Sequence, residues 1–378
     1  MAITYLDNSA TTPVCQKAAE VAVELMQNTF GNPASVHNLG FEAEQAVDTA
    51  RNTVAKALGA QKDEITFTSG GTEGNNLAVL GGAMALKRVG NKIITTAVEH
   101  PSVLEAVKDL ENRGFEAIYL PVNKQGVISL DDLEQAVDQK TVLVSVMLVN
   151  NETGAIQPVE KIRQIVINKQ SPALIHTDCV QAFGKLPFTV KDLQVDLLTV
   201  SGHKIHAPKG VGALYIRKGV RILPQTYGGS QENGLRSGTV ATAQIGALAA
   251  AVAEMPNGKI AVEQATLLKN QLLDGIASLD GVIVNSPQNG SPFITNLSVP
   301  GVPSEVMIRA LEADEVYVSG GSACAKGARS HVLTAQGVSP KVIDSALRVS
   351  FSHHTTQEDI ERFVSAFANA CRILHRKR

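Results

Sequence analysis

The stretch Asp196-Leu197-Leu198-Thr199-Val200-Ser201-Gly202-His203-Lys204 decides the reading of this chain. A run of consecutive apolar residues ends abruptly in Ser-Gly-His-Lys. Such a run is what a strand covered on both faces looks like. A lysine just past its end, beside hydroxyl and imidazole donors, suits a Schiff base to an aldehyde cofactor, because apolar surroundings lower an ammonium pKa and expose a nucleophilic amine.

Working outward, six more strand-like runs flank this one: Glu64–Thr68, Lys92–Ala97, Ala117–Leu120, Val142–Val149, Ala173–Thr177 and Gly212–Ile216. Amphipathic helical patterns fall between them, for example Glu42–Leu58 and Pro101–Arg113. This alternation predicts an α/β fold with a mostly parallel seven-stranded sheet between helices, and ligands outside the carboxyl ends of its strands. The pattern changes after about Pro256. A helix near Ala261–Ala277, short strands near Ile294–Val299, Val316–Ser319 and Ala346–Phe351, and a last helix at Gln357–Leu374 read as a smaller α+β domain. Thr356 with Asp359 three residues on is a capping-box signature for that last helix. The expected division is a large domain over 15–256 and a small one built from 1–14 and 257–378.

The bulk properties exclude several classes. The 378 residues are 44% apolar and 19% charged, with 34 basic and 36 acidic side chains and a net charge of -2. That is ordinary globular composition, without the basic surface that nucleic acid or an anionic membrane would require. No apolar run approaches the roughly 20 residues of a membrane helix, and the start Met1–Asp7 does not read as a signal peptide. The expectation is a cytoplasmic protein. Four cysteines, at 15, 179, 324 and 371, lack CxxC spacing, which argues against a cysteine zinc site and a disulfide framework.

Three further segments add chemistry to the lysine. Phe67-Thr68-Ser69-Gly70-Gly71-Thr72 follows a strand and opens a helix. Its glycines let backbone N–H groups approach an anion, so it reads as a cradle for one phosphate. It lacks the Lys-Ser/Thr of a P-loop and the third glycine of a dinucleotide fingerprint. Asp178 closes the strand Ala173–Thr177, where a carboxylate would keep a pyridine nitrogen protonated, and Gln181 lies one helical turn on. His100, in Glu99-His100-Pro101, sits past another strand and suits ring stacking and proton transfer. Taken singly, each of these is more often a turn, a cap or a structural residue; their recurrence at strand ends gives them weight.

Read together with Tyr5-Leu6-Asp7-Asn8-Ser9-Ala10-Thr11-Thr12-Pro13, Gly31–Ser35, Val149-Asn150-Asn151-Glu152-Thr153-Gly154, Leu235–Thr239, Gly321-Ser322-Ala323-Cys324 and Ala346–Phe351, these motifs resemble the class V aminotransferase family and, within it, the cysteine desulfurases. The likeness runs over about residues 3–366. It implies a fold-type-I pyridoxal-phosphate-dependent transferase, a homodimer that takes sulfur from L-cysteine onto Cys324 and passes it to an acceptor protein. It also implies roles. Lys204 carries the cofactor. Gly71, Thr72, Ser201 and His203 hold the phosphate, with Thr239 of the other subunit. His100 stacks on the ring, Asp178 pairs with its nitrogen, and Gln181 and Asn151 lie at its phenolic oxygen. Arg348 grips the substrate carboxylate, while Asn32 and the Ala10-Thr11 backbone line the pocket. Lys326 and Arg329 would lower the thiol pKa of Cys324, and the other three cysteines are expected to be structural.

The chain also departs from that pattern. The stretch from Cys324 to Leu333 is about two residues shorter than in housekeeping desulfurases, Gly71 replaces an alanine, Asn233 an arginine, and Ser352-His353 a glycine region. The sequence stops at Arg378 without the tail by which housekeeping members dock the iron–sulfur scaffold, which counts against that partner without removing it from the candidates. Competing readings are a selenocysteine lyase or cysteine C–S lyase on the same scaffold, which would not need Cys324, an ordinary aminotransferase, and a non-catalytic scaffold protein, which would lack a chromophore.

Overall fold

The computed structural model describes residues 3–320 and 329–375. Among them the strands are β1 (Thr4–Tyr5), β2 (Ile65–Thr68), β3 (Lys92–Thr96), β4 (Glu116–Leu120), β5 (Thr141–Ser145), β6 (Leu174–Asp178), β7 (Leu197–Ser201), β8 (Gly212–Ile216), β9 (Ile283–Val284), β10 (Ile294–Ser298), β11 (Val316–Tyr317), β12 (Ser319–Gly320) and β13 (Ala346–Ser350). All seven expected strands of the first region join one sheet, in the order β2-β8-β7-β6-β5-β3-β4. The pairs from β7 to β4 are parallel, and β8 runs antiparallel to both β2 and β7.

The apolar runs have a direct cause. β2, β5, β7 and β8 are buried at every position, whereas β4, at the sheet edge, keeps partly exposed residues. Helices α1 (Gln16–Gln27) and α2 (Asn38–Leu58) lie against the helix Thr242–Ala253. Helix α3 (Gly71–Ala85) is covered almost all round, with Leu77, Ala78, Val79, Leu80 and Ala83 buried, and rests on β5 to β8. Its approach is close: a Cβ added at Gly74 would come within 2.7 Å of Thr199 Cγ2 on β7. Helix α4 (Pro101–Asn112) makes the crossover from β3 to its parallel neighbour β4.

A four-stranded antiparallel sheet, β12-β13-β10-β9, forms the second region, and β1 pairs in parallel with β11. Asp7 bridges to Ser350 in parallel, so the N-terminal segment runs beside β13. The last helix, Gln357–His375, begins at the expected capping box: Asp359 N donates to Thr356 Oγ1 (3.2 Å) and Thr356 N to Asp359 Oδ2 (2.9 Å). One boundary differs from expectation. The run Val142–Val149 is regular strand only to Ser145. Beyond it Val146 N and Leu148 N still donate to His176 O and Asp178 O, but Asn150 Oδ1 accepts the N–H groups of Glu152 and Thr153 and turns the chain out of the ladder.

Candidate active site

Strand ends converge on a cavity of about 600 Å³. It lies where a ligand is expected in an open α/β sheet, outside the carboxyl ends of β2, β3, β6 and β7. Its lining brings together Gly71, Thr72, His100, Asn151, Asp178, Gln181, Ser201, His203, Lys204 and Arg348. Asn32 and Thr239 are exposed and are not part of this lining within a single chain. Cys324 and Lys326 lie outside the described residues.

Lys204 follows β7 on a single turn of 3-10 helix, Gly202–Lys204. Its Nζ donates to Ser9 O and Ala10 O, both at 2.6 Å. The N-terminal segment therefore closes over the lysine and orients its amine. Thr12 N and Thr12 Oγ1 both donate to His203 O, at 2.9 and 3.0 Å, which fixes that segment to the lysine turn. His203 is driven down to about 4, by burial first and then by the charges of Lys204 and Lys209, so its ring is neutral near pH 7.

Asp178 is the last residue of β6 and is 5% exposed. Its Oδ1 accepts Val180 N at 2.9 Å, and its Oδ2 accepts Asn75 Nδ2 at 2.7 Å. Asn75 also donates to Ser102 Oγ at 2.8 Å, so one amide on α3 ties the carboxylate to the start of α4. Sequence reading assigned Asn75 no role. Its place one turn after Gly71, on the helix that opens the cradle, was the available signal.

His100 is the N-cap of α4, and its Nδ1 accepts Ser102 N at 3.2 Å, which leaves the ring proton on Nε2. Burial lowers its pKa, opposed by the nearby Asp178 and reinforced by Lys204. Gln181 Nε2 donates to Ser9 O (3.0 Å), and its Oε1 accepts from the buried Lys185 (3.1 Å). Burial, with Lys204 and Arg348 close by, brings Lys185 down to about 7.

The cradle has the features an anion site needs. Ser201 Oγ is buried and has no hydrogen-bond partner. Gly70 has φ +148°, a conformation glycine alone adopts with ease, and it precedes the N-terminus of α3. A Cβ at Gly71 itself would meet Val180 Cγ2 at 2.9 Å. An orphaned hydroxyl beside open backbone N–H groups and Thr72 fits a phosphate.

Arg348 comes from the other sheet, in mid-β13, and is 2% exposed. Its Nη2 donates to Asp7 Oδ1 at 2.9 Å and its Nη1 to Asn151 O at 3.0 Å, while Nε has no partner. The guanidinium is thus held by protein on one side, with donor capacity left toward the cavity. Arg329, expected to act on the undescribed Cys324, is itself placed. It lines the cavity, but Asp344 engages it at 2.7 and 3.0 Å, so its charge is already matched. The three described cysteines are poor nucleophiles: burial raises the pKa of Cys15, pushes Cys179 well up, and takes Cys371 to about 11.

The chain as a whole is similar to known proteins. The family model for aminotransferase class-V matches residues 4–363. A cysteine desulfurase IscS of Methanosarcina thermophila is 42% identical over 95% of this chain and 89% of its own length. A solved NifS-like protein superposes with a TM-score of 0.92 at 38% identity, covering 97% of this chain and 99% of that one. A structure of SspA in complex with cysteine gives a TM-score of 0.82 at 33% identity, over 93% and 99%. With its fold-type-I sheet and its cavity at the strand ends, the chain belongs to the class-V aminotransferase family, in its cysteine desulfurase branch.

Proposed function

We propose that the chain removes sulfur from L-cysteine, releasing L-alanine and leaving a persulfide on Cys324, with pyridoxal phosphate bound in the cavity. The observation that carries this is the joining of Lys204, Asp178 and the partnerless Ser201 hydroxyl around one cavity. Pyridoxal phosphate supplies an electron sink at an amino acid's Cα.

The chain's own groups do the rest. Lys204 Nζ anchors the cofactor and then takes the proton from the substrate Cα, steered by Ser9 O and Ala10 O. Asp178, held by Asn75 and Val180, would pair with the ring nitrogen of the bound cofactor. Gly71, Thr72, Ser201 and His203 would hold the phosphate, Gln181 and Asn151 the phenolic oxygen, and His100 the ring. Arg348 would hold the substrate carboxylate through a charge-assisted fork, and Asn32, outside the lining of one chain, would join the pocket wall only across a homodimer. The Cys324 thiolate forms an S–S bond as the substrate Cβ–S bond breaks. The carbon skeleton then leaves as alanine.

Two features of this reading concern assembly. Thr239 is exposed within one chain, which suits a phosphate contact made across a homodimer. Segments 1–14 and 257–378 act as a small domain against 15–256, in keeping with the sheet each joins. The described helices include none long and apolar enough to cross a membrane, in line with a cytoplasmic enzyme that hands sulfur to an acceptor protein, as in iron–sulfur cluster assembly, tRNA thiolation or cofactor synthesis.

The test measures alanine and sulfide released from L-cysteine with a thiol reductant, comparing wild type with Cys324→Ser. Both proteins are expected to be yellow, and only the wild type to turn over. A variant that still makes alanine would move the assignment to a lyase.

A further inference from the structure

Outside the active site, three imidazoles meet that are widely separated in sequence. His206 follows the lysine turn, while His353 and His354 sit in the turn that leaves β13 toward the last helix. The ring centroids are 4.8 Å apart for His206 and His353, 4.7 Å for His206 and His354, and 4.0 Å for His353 and His354. One ligand atom from each lies within 4.8 Å of the others. We infer that His206, His353 and His354 form a binding site for a divalent cation of the zinc class.

Several observations favour ligation over a simple aromatic stack. His206 holds φ +66°, a left-handed conformation that costs a non-glycine residue energy. It is kept there by His206 N donating to Thr12 Oγ1 (2.8 Å), and its ring is fixed by Nδ1–H donating to Pro13 O (2.9 Å). That bond settles the tautomer and leaves Nε2 with its lone pair. It is also how metal-ligating histidines are usually oriented, with the second ring nitrogen given to a carbonyl. On the other side, Ser352 N donates to Thr355 Oγ1 (3.0 Å) and His354 N to Ser352 Oγ (3.2 Å), which shapes the turn bearing the other two rings.

The chemistry of the donors selects the ion. Three imidazoles suit Zn²⁺ and its first-row neighbours, whereas Mg²⁺ and Ca²⁺ require oxygen ligands. Three nitrogens on one tetrahedral Zn²⁺ stand about 3.3 Å apart, so the cluster must contract. His354 is the exposed member of the three. Glu254, whose charge acts on His353, adds a negative field. The spacing of the cysteines argued against a zinc site in the sequence. This one depends on histidines from the Lys204 and Arg348 segments, and the ion would brace those two segments against each other.

The experiment uses the metal-stripped, cofactor-loaded enzyme carrying Cys324→Ser, which removes the competing thiolate. Zn²⁺ is titrated calorimetrically, and Co²⁺ is added separately for its visible ligand-field bands. The expected result is saturation at a single equivalent per chain, with tetrahedral Co²⁺ bands. His353→Ala and His354→Ala, each added to that background, should weaken binding about ten-fold or more. Absence of saturable binding overturns the site, as does binding that both variants retain. If His353→Ala fails to fold, His354→Ala on the exposed side decides.

Discussion

The groups proposed to hold the cofactor and the group proposed to grip the substrate carboxylate are positioned by opposite strategies. Along the seven-stranded sheet each side chain sits at or just past a strand end: Asp178 closes β6, Ser201 closes β7, and His203 and Lys204 follow at once. Thr72 and His100 open the helices that leave β2 and β3. Backbone geometry aims them, and bonds from other segments, Asn75 to Asp178 and Lys204 to Ser9 O and Ala10 O, trim the aim. Arg348 lies instead in mid-strand of the four-stranded sheet and is oriented by Asp7, 341 residues away in sequence. The first set is built by local chain geometry. The second exists only once both ends of the chain have docked.

The strongest way to break this comparison is Lys204→Ala. Removing the amine that anchors the cofactor and moves the Cα proton should cut turnover by about 10²–10⁴-fold or more, with loss of the yellow colour. Turnover within ten-fold of wild type would show that the strand-end set is not the catalytic centre.

Arg348→Lys probes the other strategy. Lysine keeps a charge for Asp7 but loses the fork. The loss of one charge-assisted hydrogen bond, about 1.5–3 kcal/mol, predicts a fall of about 10- to 150-fold in kcat/KM. Because the fork grips a carboxylate that does not react, the change should fall mainly on KM. A kcat effect with KM unchanged would assign Arg348 to the chemistry instead.

The two strategies also explain what could be read in advance. The strands and the residues that end them were legible, because double-sided burial writes consecutive apolar residues and each motif is contiguous. Asp178, Ser201 and Lys204 were placed at strand ends this way. Side-chain pairing between distant segments leaves no period or spacing. The Asp7 bond to Arg348, the Asp344 pair that engages Arg329, and the histidine cluster were therefore not visible. Asn32 and Thr239 carry roles drawn from resemblance alone, and the cavity within one chain does not reach them.

Asn75→Ala sharpens the picture of the strand-end set. Asn75 lines the cavity, and its amide holds Asp178 Oδ2. Leaving that buried oxygen without its donor costs about 1–3 kcal/mol, so kcat should drop about ten-fold with KM nearly unchanged. The cofactor absorbance should shift in its pH dependence, since the partner of the ring nitrogen has moved. A purely structural asparagine would lower Tm and leave that titration alone.

The smallest effect on activity, and the one that bears most on why the strand-end set works, belongs to Glu99. This residue is fully buried after β3, with Oε1 accepting from Thr96 Oγ1 (2.9 Å) and Met147 N (2.8 Å) and Oε2 without a partner. Burial, with the charge of Asp178 adding to it, pushes its carboxyl up to about 8 against an ordinary 4.5. Two carboxylates cannot share this edge cheaply, and Glu99 is the one that keeps its proton. The folded chain therefore holds a proton that the unfolded chain gives up above about 4.5. The stabilising contribution of Glu99 is full below that pH and is lost as pH rises through about 8. Glu99→Gln cannot ionise, so its stability relative to wild type should rise between about pH 5 and pH 8.5 in urea melts. Its kcat should stay within a few-fold, since Glu99 does not line the cavity. A difference that is flat across that range would mean that Glu99 is ionised in the folded protein, and that Asp178 works beside a second negative charge.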